Sequence, residues 1–120
     1  MPNKKYSFPA ENTNGSVAIT GNKIRCEGNS YFYNSEVTID HIQYVYVIVN
    51  ANKESFLFIF DHHQHTIPTT SIGFEAVYTE LSNRFLFDDA LFFETIYKQE
   101  PAKKQIWRRT YVPTYEILHT

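Results

Sequence analysis

The spacing of apolar residues in this chain changes once, and that change limits the folds open to it. Up to about residue 70 the apolar side chains come in short runs with a period of two. From Ser71 onward Phe74, Val77, Tyr78, Leu81 and Phe85 fall on one stripe with a period of about 3.6. Strands therefore come first and helices follow. In HIQYVYVIVN the alternation places Ile42, Tyr44, Tyr46 and Ile48 on one face and Val45, Val47 and Val49 on the other. Two apolar faces predict a central strand covered on both sides for part of its length. The polar turn NANKES follows it, and FLFIF is expected to pair antiparallel with its predecessor.

Local signals fill in the remaining elements. VAIT and KIRCE flank Gly21-Asn22, the two-residue, glycine-first spacing of a type II′ hairpin. YFY and EVTI add short strand-like runs. Ser71 is the expected N-cap of the first helix, and Glu75 in its first turn suits the helix dipole. DDALFFETIYKQ reads as a second short helix, opened by Asp88 and ended at or before Glu100 by Pro101. QIWRRTYV returns to strand. The fold class is α+β: an antiparallel bent sheet, or a barrel, capped by a helix, with an additional C-terminal helix and strand.

At 120 residues the chain has room for one domain, expected over residues 17–120, behind a polar, loosely held arm at 1–16. Ten Phe and nine Tyr against a formal net charge of −2 describe a globular chain. The same balance argues against a nucleic-acid binder that relies on overall positive charge, so no nucleic-acid partner is expected. Cys26 is the only cysteine, which excludes an intrachain disulfide and a cysteine-based zinc cluster. A reducing compartment, the cytoplasm, is the expectation. The first residues carry no apolar run, which predicts neither a signal peptide nor a membrane span.

The stretches SVAITGNKIRCEG, VTIDHIQYVYVIV, SFLFIFDHHQHTIP and SIGFEAVYTELSNRF, over about residues 17–84, resemble the pleckstrin-homology-like fold, particularly its small bacterial versions. The resemblance implies a strongly bent antiparallel barrel or sandwich whose open end is capped by a helix. Residues 72–84 lack the Trp that eukaryotic members typically carry there, and a further helix and strand must pack after residue 85. Lys23-Ile24-Arg25 resembles part of the basic pattern by which some members hold inositol phosphates. The loop before it, Gly21-Asn22, is shorter than the lipid-binding members generally use.

Two clusters carry candidate chemistry. In an extended DHHQH, Asp61, His63 and His65 would point the same way and offer a carboxylate and two imidazoles, a familiar zinc set, with His41 or His119 as a distant fourth ligand. A tight turn there would instead splay those side chains into water. In KKQIWRRTY, four of the eleven basic residues surround the only Trp. Lys103, Lys104, Trp107, Arg108, Arg109 and Tyr111 form the expected binding surface, because Trp, Tyr and Arg are over-represented at hot spots. Asp88 and Asp89 are read as helix-capping residues, and nothing assembles a nucleophile, base and oxyanion donor. The surplus aromatics at 85–87 and 91–93 leave room for a homodimer contact.

The function expected is a non-catalytic protein-interaction module with an unidentified protein partner, of the adaptor, regulatory or toxin-neutralising kind, needing no cofactor. The alternatives are a zinc- or small-ligand-binding protein centred on Asp61–His65 and a phosphate or lipid-headgroup binder using Lys23 and Arg25.

Overall fold

The computed structural model describes residues 7–11, 15–28 and 35–110. Among these residues, seven strands and two α-helices occur in the order β1 (Ser16–Thr20), β2 (Lys23–Glu27), β3 (Ser35–Thr38), β4 (Tyr44–Val49), β5 (Ser55–Phe60), β6 (Gln64–Pro68), α1 (Phe74–Phe85), α2 (Asp89–Lys98) and β7 (Ala102–Arg108). The strands form two antiparallel sheets, one ordered β1-β2-β3 and the other β6-β5-β4-β7. The protein is thus α+β, with strands leading, helices following and one strand returning to the second sheet. Among the described residues no strand of one sheet pairs with a strand of the other, so no closed barrel forms.

Turn chemistry fixes the registers. At the β1–β2 hairpin Gly21 adopts φ 61 and Asn22 stays out of the positive-φ region, the combination a type II′ turn requires. Between β4 and β5 the Asn50 side chain accepts from the backbone N–H groups of Asn52 and Glu54 at 2.9 and 3.0 Å, which holds Lys53 at φ 67.

The alternation of β4 then sorts its side chains. Val45, Val47 and Val49 are buried, facing Leu57, Ile59 and Ile67 of the neighbouring strands and the helices behind them. Ile42, expected on the Tyr44 face, precedes the strand and belongs to the core. Burying each such side chain contributes about 1.5–3 kcal/mol before entropy is counted.

The α1 stripe is as the spacing predicts. Phe74, Val77, Tyr78 and Leu81 are buried, and half-buried Phe85 packs on Trp107 with ring centroids 4.6 Å apart. The expected N-cap is corrected. Gly73 occupies that position at φ 87, while Ser71 contributes only its carbonyl, which accepts from Phe74 N–H. The reason is the approach of β1: Val17 N–H donates to Ile72 O at 2.9 Å, and a Cβ on residue 73 would collide with the Val17 carbonyl oxygen.

Asp88 caps α2 as expected, accepting from Leu91 N–H at 3.1 Å. Asp89 does more than cap. Its Oδ1 accepts from Tyr78 Oη at 2.7 Å and Ser82 Oγ at 2.6 Å, tying α2 to α1. In the N-terminal arm, Phe8 packs edge-on to Phe74, Tyr78 and Phe93, with the closest centroid at 5.1 Å. Tyr97 Oη receives the Ser7 N–H at 2.7 Å, which anchors this part of the arm across both helices.

Candidate interaction surface

The DHHQH stretch makes a turn between β5 and β6, and its residues separate. Asp61 and His65 are each 5% exposed, whereas the side chains of His62 and His63 stand in solvent. Asp61 Oδ1 lies 2.9 Å from His65 Nε2 and 3.1 Å from His63 N–H, and Oδ2 accepts from Thr38 N–H at 2.9 Å. A carboxylate can only accept, so the ring proton sits on Nε2. Burial pushes the Asp61 carboxyl up, but hydrogen bonds from Thr38 and His63 backbone and from the His65 ring outweigh it. The net direction is below the ordinary aspartate value.

Thr38 belongs to β3 and His65 to β6, so this carboxylate joins the two sheets. Of the two readings of DHHQH, the turn is what forms, although only His62 and His63 splay into water while Asp61 and His65 turn inward. Of the candidate ligands, Asp61 and His65 are consumed in an internal tie, and only the backbone of His63 takes part. Among the described residues no group of three His, Cys, Asp or Glu is arranged to hold a metal ion. His41 lies against His62, ring centroids 5.0 Å apart. His119 falls outside the described residues.

The basic-aromatic cluster is divided by the sheet. β7 pairs with β4, Trp107 opposite Val45 and Arg108 opposite Tyr44, with an irregularity in register beside them. Trp107 consequently turns toward the helices and packs on Phe85 and Phe87. Arg109 is held internally: Nε donates to Ile42 O at 2.8 Å and a terminal nitrogen to Asp40 O at 3.1 Å, with the guanidinium 5.4 Å from the Trp107 ring centroid. Lys103 and Arg108 project from the opposite face, Lys104 is exposed on the Val47 side, and Tyr111 lies outside the described residues.

That opposite face is the more informative surface. The register brings Tyr44 beside Phe60 and Tyr46 beside Phe58 on the two central strands. All four rings are half-buried and stand outside the main core cluster. Tyr44 and Phe60 stack at 5.0 Å with 9° between their planes, and Tyr44 meets Tyr46 edge-on at 5.6 Å. Lys103 Nζ sits 5.0 Å from the Tyr46 centroid and 5.6 Å from that of Phe58, and Gln105 donates to Tyr46 Oη at 3.0 Å. A cleft at the end of the face is lined by Gln43, Tyr44, Phe60, His62 and Arg108.

The remaining candidates are engaged elsewhere. Arg25 pairs with Glu36 at 2.8 Å and approaches Glu27 at 3.7 Å, while Lys23 Nζ donates to Thr38 Oγ1 at 3.0 Å. Cys26 is buried, and burial pushes its thiol up to about 11 against a smaller opposing effect from Ser35.

No protein-family model matches the chain, and no solved structure matches it. The weight of a functional reading therefore rests on the surface itself.

The sequence pattern predicts β4 as a central strand covered on both sides for part of its length; it pairs with β5 and β7, its Val45, Val47 and Val49 face is buried, and Tyr44, Tyr46 and Ile48 on the other face are half-buried.

Proposed function

We propose that this chain is a non-catalytic protein-interaction module that engages its partner through the outer face of the four-stranded sheet. One observation carries the reading: four half-buried aromatic rings, Tyr44, Tyr46, Phe58 and Phe60, line two adjacent strands outside the core, with Lys103 and Arg108 beside them. Aromatic residues with flanking cations are what protein interfaces concentrate, and contiguous apolar faces mark interaction sites. The resemblance to pleckstrin-homology-like domains belongs to the same reading, since such a scaffold presents sheet faces on a rigid frame. An adaptor, a regulatory subunit and a toxin-neutralising protein would all fit a surface of this kind.

The groups that chemistry would need are committed to structure. Cys26 is buried with its thiol pushed up, and Asp88 and Asp89 are occupied at the start of α2. The carboxylates beside Arg25 disfavour its use as a phosphate grip, and the Asp61–His65 tie disfavours zinc there.

The test is capture from the native host's lysate, comparing wild type with a Tyr46→Ala/Phe58→Ala variant whose folding is verified by circular dichroism. A protein retained in stoichiometric amount by wild type and lost from the variant is expected. Retention of nothing, or equal retention by both, overturns the proposal. A second copy of this chain as the retained species identifies the partner as a homodimer mate.

A further inference from the structure

We infer that the partner of the outer sheet face is an acidic protein segment, one carboxylate of which docks in the cleft formed by Gln43, Tyr44, Phe60, His62 and Arg108. The inference rests on the interaction-module reading and specifies the chemistry of that partner. Strand pairing places Gln64, Thr66 and Pro68 on one side of the rings and Lys103, Gln105 and Arg108 on the other, so no strand position of this face is acidic. In a chain of formal net charge −2, that is a local reversal of sign.

The cations of this face are also available. Arg25, Arg84 and Lys98 each have a carboxylate within ion-pair distance. Among the described residues, Lys103 and Arg108 have none. Arg108 sits opposite Tyr44 at the mouth of the cleft, where its planar fork matches the two oxygens of a carboxylate. His62, exposed at the same mouth, is a second nitrogen donor when its ring N–H faces inward.

The arrangement of the rings decides between an acidic protein and a nucleic acid. Base recognition needs free ring faces on which to stack. Here Tyr44 and Phe60 already stack on each other, and the Lys103 ammonium lies over Tyr46 and Phe58. One face of each ring is thereby engaged, and ring edges, which carry the positive part of the aromatic quadrupole, attract carboxylate oxygens. Two cations are also few for a phosphate backbone, whose affinity grows with the number of charges neutralised.

The experiment is an NMR titration of isotope-labelled protein with three probes: a capped glutamate-rich peptide containing leucine, the same peptide with glutamine for glutamate, and a short oligothymidylate. The acidic peptide is expected to move the resonances of Tyr44, Phe60, Lys103 and Arg108, and the glutamine peptide to leave them in place. Arg108→Gln and Lys103→Gln should each weaken the acidic peptide by about tenfold, and added salt should weaken it further. No shift with the acidic peptide, or an equal shift with the glutamine peptide, overturns the inference. A stronger shift of the same resonances by oligothymidylate also overturns it and assigns the face to nucleic acid. A lysate protein lost with Tyr46→Ala/Phe58→Ala but retained undiminished by Arg108→Gln in high salt overturns the acidic partner alone. Failure of capture in every form removes the interaction-module reading beneath it.

Discussion

Asp61 Oδ1 lies 2.9 Å from His65 Nε2, and the other oxygen of the same carboxylate takes the Thr38 N–H, so one buried side chain spans the two sheets. A DHHQH sequence on a strand end suggests metal chemistry. In this fold its carboxylate satisfies donors from β3, from the turn and from β6, donors that would otherwise be stranded by burial.

The linkage to pH follows from the depressed carboxyl of Asp61. A carboxylate whose folded pKa lies below its unfolded value contributes stability that is fully present above the unfolded value, about 3.9 for aspartate, and is lost as pH falls through the folded one. Urea midpoints measured from neutral pH downward should therefore fall more steeply below about pH 4 in wild type than in Asp61→Asn. Equal slopes in that window would remove the tie from the account.

Asp89 makes a corresponding tie between the helices. Asp89→Ala takes one acceptor from both the Tyr78 and the Ser82 hydroxyl, at a cost of about 2–4 kcal/mol in denaturant unfolding. Asp89→Asn keeps an accepting oxygen and should lose less. A loss below 0.5 kcal/mol for Asp89→Ala, which is the scale of ordinary surface changes, would show that the helices do not depend on it.

Gly73→Ala tests the junction of β1 with α1. The substitution meets the Val17 carbonyl oxygen at a residue already held at φ 87, so both sterics and backbone oppose it. A loss of more than about 1 kcal/mol in urea unfolding is expected, in contrast to the gain that Gly→Ala gives at compatible sites.

Leu86 offers the opposite experiment. It ends α1 at φ 63 with 81% of its surface exposed, a left-handed position that glycine occupies without strain. Leu86→Gly should raise stability by about 1 kcal/mol, read as a higher melting temperature. A lowered melting temperature would show that the leucine packs in solution.

The elements that could be read in advance were those whose cause is local. The II′ turn at Gly21-Asn22, the α1 stripe from Phe74 to Phe85 and the Asp88 cap are written in neighbouring residues. Ser71 failed as a cap because the helix start is set by β1, which is distant in sequence and forces glycine at 73. The division of KKQIWRRTY likewise depends on how β7 registers against β4, which period-two reasoning inside one strand does not contain. His65 and Asp61 carried the same ambiguity, since only the approach of Thr38 shows that the carboxylate faces inward.

The outer face of the four-stranded sheet is the surface we propose engages the partner. Hydroxyl-radical footprinting of the protein, free and in its lysate-captured complex, measures this directly. Protection of Tyr44, Tyr46, Phe58 and Phe60 on complex formation, with Leu86 and Tyr97 unchanged, is the predicted result. Protection of Leu86 or Tyr97 with the four sheet aromatics unchanged would contradict it and place the partner on the helices.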